Sequence, residues 1–405
     1  MSQSLLQQSP ALPIEVCERI IDYVAIESAA FVPSSGLAPQ YQLRQRHMDL
    51  VACGLTCRAW LARSTYHLSM RLMIHSTRQL EQAAQLLKEN PARSTSIRSL
   101  YICSPPRPYT PQDGDQRFSQ WSHIVPTLLY DHLPSLDKLI LVDLNWRHFH
   151  PSFWLLAPKF TQPVTDLCIH RLLIDSPVKF ISLLAMFPSL RLLQVTTMVY
   201  FDSSRSAAIS PRTKQVILND LEEIDISSTS QITPILSWLS GRTPHLHTLK
   251  LNLLQACDSL PSLIHQCSFL SDLQLKFARL SAEDMRVTWG SLDLKEIKAL
   301  QYLRLEGDED QLTSFAECLP TLRSAEVKEI SLSLASPVLH SLDTIRAAAP
   351  RWQLLDSLLT KKSYPKLERV VFVVKTVMDD YAAQELFPLA YSRGVLVIRI
   401  RGLYD

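Results

Sequence analysis

The chain has 405 residues, 46% of them hydrophobic, with 41 basic and 39 acidic side chains mixed along its length. That is enough to bury a core and long enough for two or more domains. The balanced charge, with no block of one sign, leaves no electrostatic footprint for nucleic acid or an anionic membrane surface.

The first residues, "MSQSLLQQSPALP", have no basic start and no long apolar run, so they do not read as a signal peptide. No apolar stretch approaches the roughly 18–20 residues that cross a bilayer. Eight cysteines are scattered, mostly in apolar contexts such as Cys168 and Cys318. Cys53 and Cys57 stand four apart, a packing spacing on one helix face. This usage predicts reduced, buried thiols and an intracellular protein, cytoplasmic or nuclear. The eight glycines are dispersed, so no loop can cradle a phosphate with its backbone amides.

The first predicted element is a helix in "LPIEVCERIIDYVA", residues 12–25. Pro13 suits a first helical turn, and Glu15 and Glu18 suit its positive end. Leu12, Val16, Ile20 and Val24 recur every four residues, widened by Ile14 and Ile21; Glu18, Arg19 and Asp22 take the other side. Residues of about 26–47, rich in Ala, Ser, Pro and Gln, read as a loop. A second helix is expected from about Met48 to Arg63, with Leu50, Val51, Cys53, Leu55, Cys57, Trp60 and Leu61 on its apolar side. Neither helix is long enough to stand alone.

These residues resemble an F-box: the Leu12-Pro13 start, Glu15, the Ile20-Ile21 pair, Val24, then Leu50-Val51 and "LTCRAW" with Cys57, Arg58 and Trp60. The insert at about 26–47 is a departure, since F-boxes usually join the two parts by a few residues. The resemblance spans residues 10–70. It implies an all-helical unit that binds a Skp-family adaptor, and through it a cullin scaffold, with Leu12, Pro13, Ile14, Val16, Ile20, Leu50, Val51, Cys57 and Trp60 at the adaptor surface. The residues alone also allow an ordinary helical hairpin packed on the rest of the chain.

From residue 71 to 405 helix-like and strand-like runs alternate. "STRQLEQAAQLLKEN", residues 76–90, opens with a capping box, Ser76 to Gln79, and aligns Leu80, Ala83, Ala84 and Leu87. Strands follow an apolar-x-x-apolar-x-apolar template. It starts at Ile97, Leu136, Val164, Leu190, Leu221, Leu246, Leu270, Leu300, Leu322 and Leu367. Pro134, Pro188, Pro244, Pro320 and Pro365 each stand two residues before a template start, where they stop a helix. A strand-plus-helix unit repeating every 20–30 residues or so reads as a leucine-rich-repeat solenoid. The usual asparagine is absent, with Leu144, Leu172, Met198 and Leu254 in its place. The repeats therefore resemble the degenerate ones of fungal F-box proteins. An open α/β sheet covered on both faces is the competing fold.

In such a strand the first, fourth and sixth template positions face the core, and the third and fifth face out. The outward row runs from Ser99, Tyr101, Lys138, Ile140, Asp166, Cys168, Leu192 and Gln194 to Glu223, Asp225, Thr248, Lys250, Asp272, Gln274, Tyr302 and Arg304. Ser324, Glu326, Arg369 and Val371 end it. Glu223, Asp225, Lys250, Asp272, Tyr302 and Arg304 form its mixed-charge centre, which suits a target protein. Solvated strand residues are the plainer reading of each.

His148-x-His150 and His245-x-His247 each lack a nearby third ligand, and no HExxH helix occurs. No nucleophile elbow, catalytic carboxylate pair or Cys–His set stands out. No cluster of arginines marks a phosphate pocket. The expected fold is α/β: a small all-helical N-terminal F-box, then an irregular leucine-rich-repeat solenoid. The expected function is non-catalytic and free of metal and cofactor. The chain would recruit an unknown target to a cullin–RING ubiquitin ligase. The alternatives are a repeat scaffold without ligase association and, more remotely, a hydrolase with a diffuse site.

Overall fold

The computed structural model describes residues 13–27, 39–104, 121–145, 151–174, 176–197, 200–201, 216–227, 232–255, 257–277, 294–307, 312–334, 349–360, 362–374 and 380–400. A few isolated positions between 280 and 292 are also described. It divides into two units, residues 1–144 and 145–405.

The first unit opens with three helices, α1 (Ile14–Glu27), α2 (Pro39–Thr56) and α3 (Arg58–Ser69). The first begins one residue after Pro13, as the sequence predicts. The expected single helix Met48–Arg63 is instead two, broken at Cys57, whose backbone is extended. The helix before the break starts earlier than expected, with Pro39 in its first turn, where a missing N–H costs nothing. The expected loop at 26–47 is therefore helical at both ends, and its middle, residues 28–38, lies outside the described residues. Cys53 and Cys57 do not share one helix face, because the break separates them. Gly54 allows α2 to approach α3: a Cβ there would stand 3.3 Å from that of the buried Ser64.

Strands β1 (Arg71–Ile74), β2 (Ser99–Cys103) and β3 (Lys138–Asn145) follow, with β1–β2 and β2–β3 both parallel. Between β1 and β2 lie α4 (Thr77–Glu89) and α5 (Pro91–Ser96). The capping box is present: the Ser76 hydroxyl accepts from the Gln79 N–H at 3.3 Å. The Gln79 carboxamide accepts in turn from the N–H of His75 at 2.7 Å, one residue before the cap. Leu80, Ala83 and Leu87 are buried. Helix α6 (Val125–Leu129) precedes β3.

The second unit contains α7 (Pro151–Thr161), β4 (Asp166–Ile174), α8 (Pro177–Leu184), β5 (Leu192–Thr197), β6 (Tyr200–Phe201) and β7 (Glu223–Ile226). Then come α9 (Thr233–Leu239), β8 (Thr248–Leu253), α10 (Leu260–Gln266), β9 (Asp272–Phe277), β10 (Tyr302–Gly307) and α11 (Leu312–Cys318). The last elements are β11 (Glu329–Leu334), α12 (Ala349–Leu358), β12 (Arg369–Val374), α13 (Asp380–Leu386), α14 (Pro388–Ser392) and β13 (Leu396–Ile400). The strand order is β4-β5-β7-β8-β9-β10-β11-β12-β13, with β6 paired to β4. Every described pair is parallel. An open doubly wound sheet reverses its order at a switch point. This one keeps chain order, as stacked strand-plus-helix units do.

The template explains the stacking. Ile97, Leu136, Val164, Leu190, Leu221, Leu246, Leu270 and Leu300 are all buried. The carbonyl one residue after Ile97, Val164, Leu190, Leu221, Leu246, Leu270 and Leu300 accepts two N–H bonds from the next strand-plus-helix repeat. His247 O, for example, takes Ser271 and Asp272 at 2.9 and 3.0 Å, and Ser271 O takes Gln301 and Tyr302 at 2.8 and 2.9 Å. Each unit is thus clamped to its neighbour at the strand entrance.

The template fails at one strand. "TLRSAEVKEISLSL" holds two overlapping matches, starting at Leu322 and at Val327. The fold uses the second, which buries Ile330 and Leu332, whereas the first would bury Ala325 in their place. A larger apolar payload decides the register. Ser324 and Glu326 are therefore not on a strand, and Glu329 and Ser331 take their places in the row. Tyr101, Ile140, Cys168 and Val371, expected to face out, are buried. These strands are apolar on both sides and cannot leave one face in water.

Two non-glycine residues inside strands have positive φ, Asp143 at 56° and Arg171 at 51°. Each is the sixth residue of its strand, and the β4–β5 register shifts just before Arg171, between Ile169 and His170.

Candidate interaction surfaces

On α1 a buried stripe, Cys17, Ile21 and Ala25, faces inward. Ile21 and Ala25 join Leu50 of α2 in a small core, and Val24, Cys53, Trp60 and Leu68 pack against it. Asp22 ties α1 to α3. Its carboxylate accepts from Arg63 Nε and a second guanidinium nitrogen at 2.7 and 2.8 Å, and lies 2.7 Å from His67 Nε2. The Arg63 hydrogen bond is the main reason its pKa is lowered to about 2.

One position back runs a second stripe. Val16, Ile20 and Tyr23, spaced i, i+4, i+7, are 40%, 39% and 62% exposed. Pro13 and Ile14 are exposed at the helix start. The helix is apolar on two adjacent lines, of which one is buried and the other is exposed.

The nine predicted adaptor residues separate into groups. Leu12 lies outside the described residues. Pro13, Ile14, Val16 and Ile20 are exposed on α1. Val51 is half-buried, and Cys57 is exposed at the helix break. Leu50 is a correction: it is fully buried in the three-helix core against Ile21 and Ala25, so it presents no surface to a partner. Trp60 packs against that core and holds the helices together. The sequence reading missed Tyr23, although the seven-residue step from Val16 was legible.

On the second unit the outward rows stand in register. Leu192, Glu223, Thr248, Asp272, Tyr302, Glu329 and Arg369 pair strand to strand. So do Gln194, Asp225, Lys250, Gln274, Arg304, Ser331 and Val371. All six predicted target residues thus lie in two adjacent rows, half-buried. From β7 to β10 burial alternates along each strand, so the row side stays accessible.

Charge is paired along these rows. Lys250 reaches Glu223 at 2.7 Å. Arg304 lies 3.9 Å from both Asp272 and Glu329, and Arg369 is 2.9 Å from Glu329. Burial pushes the Asp225 carboxyl up, with Lys250 partly offsetting it. Burial also raises Asp272, with Arg304 offsetting, and its Oδ1 has no hydrogen-bond partner among the described residues. Two strand positions further, Lys276 and Glu306 pair at 2.6 Å. A shallow cavity of about 170 Å³ lies between Gln274, Arg304, Glu306, Ser331 and Ser333. Glu329, Lys276 and Glu306 were missed. Carrying the alternation two residues further along each strand would have found the last two.

His245 and His247 flank the Phe269 ring at 5.6 and 6.0 Å, an aromatic cluster rather than a ligand pair. His148 and His150 lie outside the described residues. Among the described residues no group of three or more His, Cys, Asp or Glu is placed to hold a metal, and no helix is long and apolar enough to cross a membrane.

No family model matches the sequence, and no curated protein matches it. Among solved structures, a chain from the yeast complex of Rad7 and Elc1 aligns with a TM-score of 0.38 at 12% identity, over 96% of this chain and 93% of that one. A Bacteroides fragilis protein from a structural genomics programme aligns with a TM-score of 0.37 at 12% identity, over 82% and 74%. Likenesses this distant carry no functional argument.

Proposed function

We propose that the chain is a substrate-recruiting subunit of a cullin–RING ubiquitin ligase, acting in the cytoplasm or nucleus. The F-box-like helices would engage a Skp-family adaptor, and a degenerate leucine-rich-repeat solenoid would engage a target through the charged rows. The observation that carries this reading is the exposed stripe Val16, Ile20 and Tyr23, beside a helix face that its own unit already fills. The resemblance of residues 10–70 says what covers it.

The role needs no catalytic residue. Binding an adaptor at one surface and a target at the other holds an acceptor lysine near charged ubiquitin, so that a bimolecular encounter becomes effectively intramolecular. Co-expression with a Skp-family adaptor tests it. The expected outcome is a one-to-one complex that survives size-exclusion chromatography at micromolar concentration. Separate elution of two folded proteins would leave the scaffold reading, in which the helices only close the end of the repeats.

A further inference from the structure

A cavity of about 1050 Å³ opens in the first unit, among α2, α3, β1, α4 and α5. Its described lining residues include Arg44 and His47 from α2, Arg71 from β1, His75 just after β1, and Arg93 from α5, and none of those described is acidic. The sequence scatters these cations over fifty positions, so no arginine cluster is visible in it. Folding assembles one.

The cavity is built rather than incidental. Arg71 is anchored by donating to the Ala25 carbonyl at 2.7 Å. His47 and His75 each keep a buried Nδ1 with no hydrogen-bond partner among the described residues. Arg44 and Arg93 are exposed at the rim. Leu68, Leu72 and Met73 contribute apolar wall between the cations.

We propose that this cavity binds a small organic polyphosphate, its anionic groups held by Arg44, Arg71 and Arg93 and its carbon skeleton against Leu68, Leu72 and Met73. Three guanidiniums on three separate elements suit more than one anionic group, since each fork holds two oxygens. The volume is at the upper end for small-molecule sites, and the mixed lining is typical of them. Burial and the neighbouring cations disfavour the charged forms of His47 and His75: Arg71 acts on the first, Arg44 and His47 on the second. An anion held between the arginines would offset that and favour protonation of both rings. This site is independent of the adaptor and target surfaces.

The test uses the full chain with three probes, followed by calorimetry and thermal shift: inorganic tripolyphosphate, adenosine triphosphate, and vesicles containing a phosphorylated inositol lipid. Saturable binding of both soluble probes is expected, tighter for adenosine triphosphate and weakening with salt. Arg44→Glu with Arg93→Glu, both at exposed positions, should weaken it by about thirtyfold or more, with the unliganded thermal midpoint unchanged. Leu72→Ala should abolish the preference for adenosine triphosphate while tripolyphosphate still binds. No saturable binding at millimolar probe, equal affinity in the double variant, or binding confined to vesicles would each overturn the proposal.

Discussion

At the scale of residues, Asp22, His47 and His75 shape the response of the first unit to acid. The Arg63 guanidinium holds the Asp22 carboxyl down to about 2, against an ordinary aspartate value of 3.8. Its contribution is therefore complete above the unfolded value and is lost as pH falls from near 3.8 towards 2. His47 and His75 are lowered by burial first. The unfolded chain binds their protons more readily, so their contribution is lost earlier, as pH falls through about 6.5. Asp22→Asn keeps the shape and removes the charge. It should cost about 0.5–1.5 kcal/mol at pH 7, the range of a partly exposed bidentate pair. It should also shrink the loss below pH 4, to which Glu222 with its Arg191 partner contributes as well, while leaving the loss near pH 6.5. Denaturant unfolding across pH 3–8 measures both. An unchanged acid profile would mean that the Arg63 fork does not persist in solution.

At the scale of elements, the sequence was most legible where large aliphatic side chains fill the template. Leu221, Leu246, Leu270 and Leu300 each open a strand where expected, and each match buries leucine or isoleucine at all three positions. It was least legible where two solutions compete or geometry intervenes. The strand near residue 330 slid by five positions because Ile330 and Leu332 bury more apolar surface beside Val327 than Ala325 would. The break at Cys57 and the positive φ of Arg171 leave no mark in a run of apolar letters. The proposed adaptor face was half legible: period four found Val16 and Ile20 but could not say that Leu50 faces the core. The arginine cavity was not legible, since its members are neighbours only in space. The register of β11 can be tested directly. Ile330→Ala should cost about 2–4 kcal/mol, the usual range for truncating a buried aliphatic side chain. Ala325→Asp, at an exposed position, should change stability by under about 0.5 kcal/mol. The opposite ranking would restore the strand at Leu322.

At the scale of the whole molecule, the proposed hook and recognition rows lie in different units, so each should fail alone. Val16 is 40% exposed in the free chain, and a carboxylate there meets water at little cost. In a complex that covers the stripe, the same carboxylate is buried without a partner, at roughly several kcal/mol or a large pKa shift. Val16→Glu should therefore weaken adaptor binding at least about a hundredfold, since each 1.4 kcal/mol is tenfold, while the thermal midpoint of the free protein barely moves. Tyr302→Ala with Arg304→Ala should do the reverse. Arg304 meets its carboxylate neighbours only at 3.9 Å, so its loss costs the fold little, but target capture should weaken with adaptor binding intact. Pull-down and calorimetry on both variants decide between the two readings. If Val16→Glu unfolds the free chain and gives no selective binding defect, the stripe is packed internally in solution. The helices then serve the fold, and the scaffold reading replaces the ligase one.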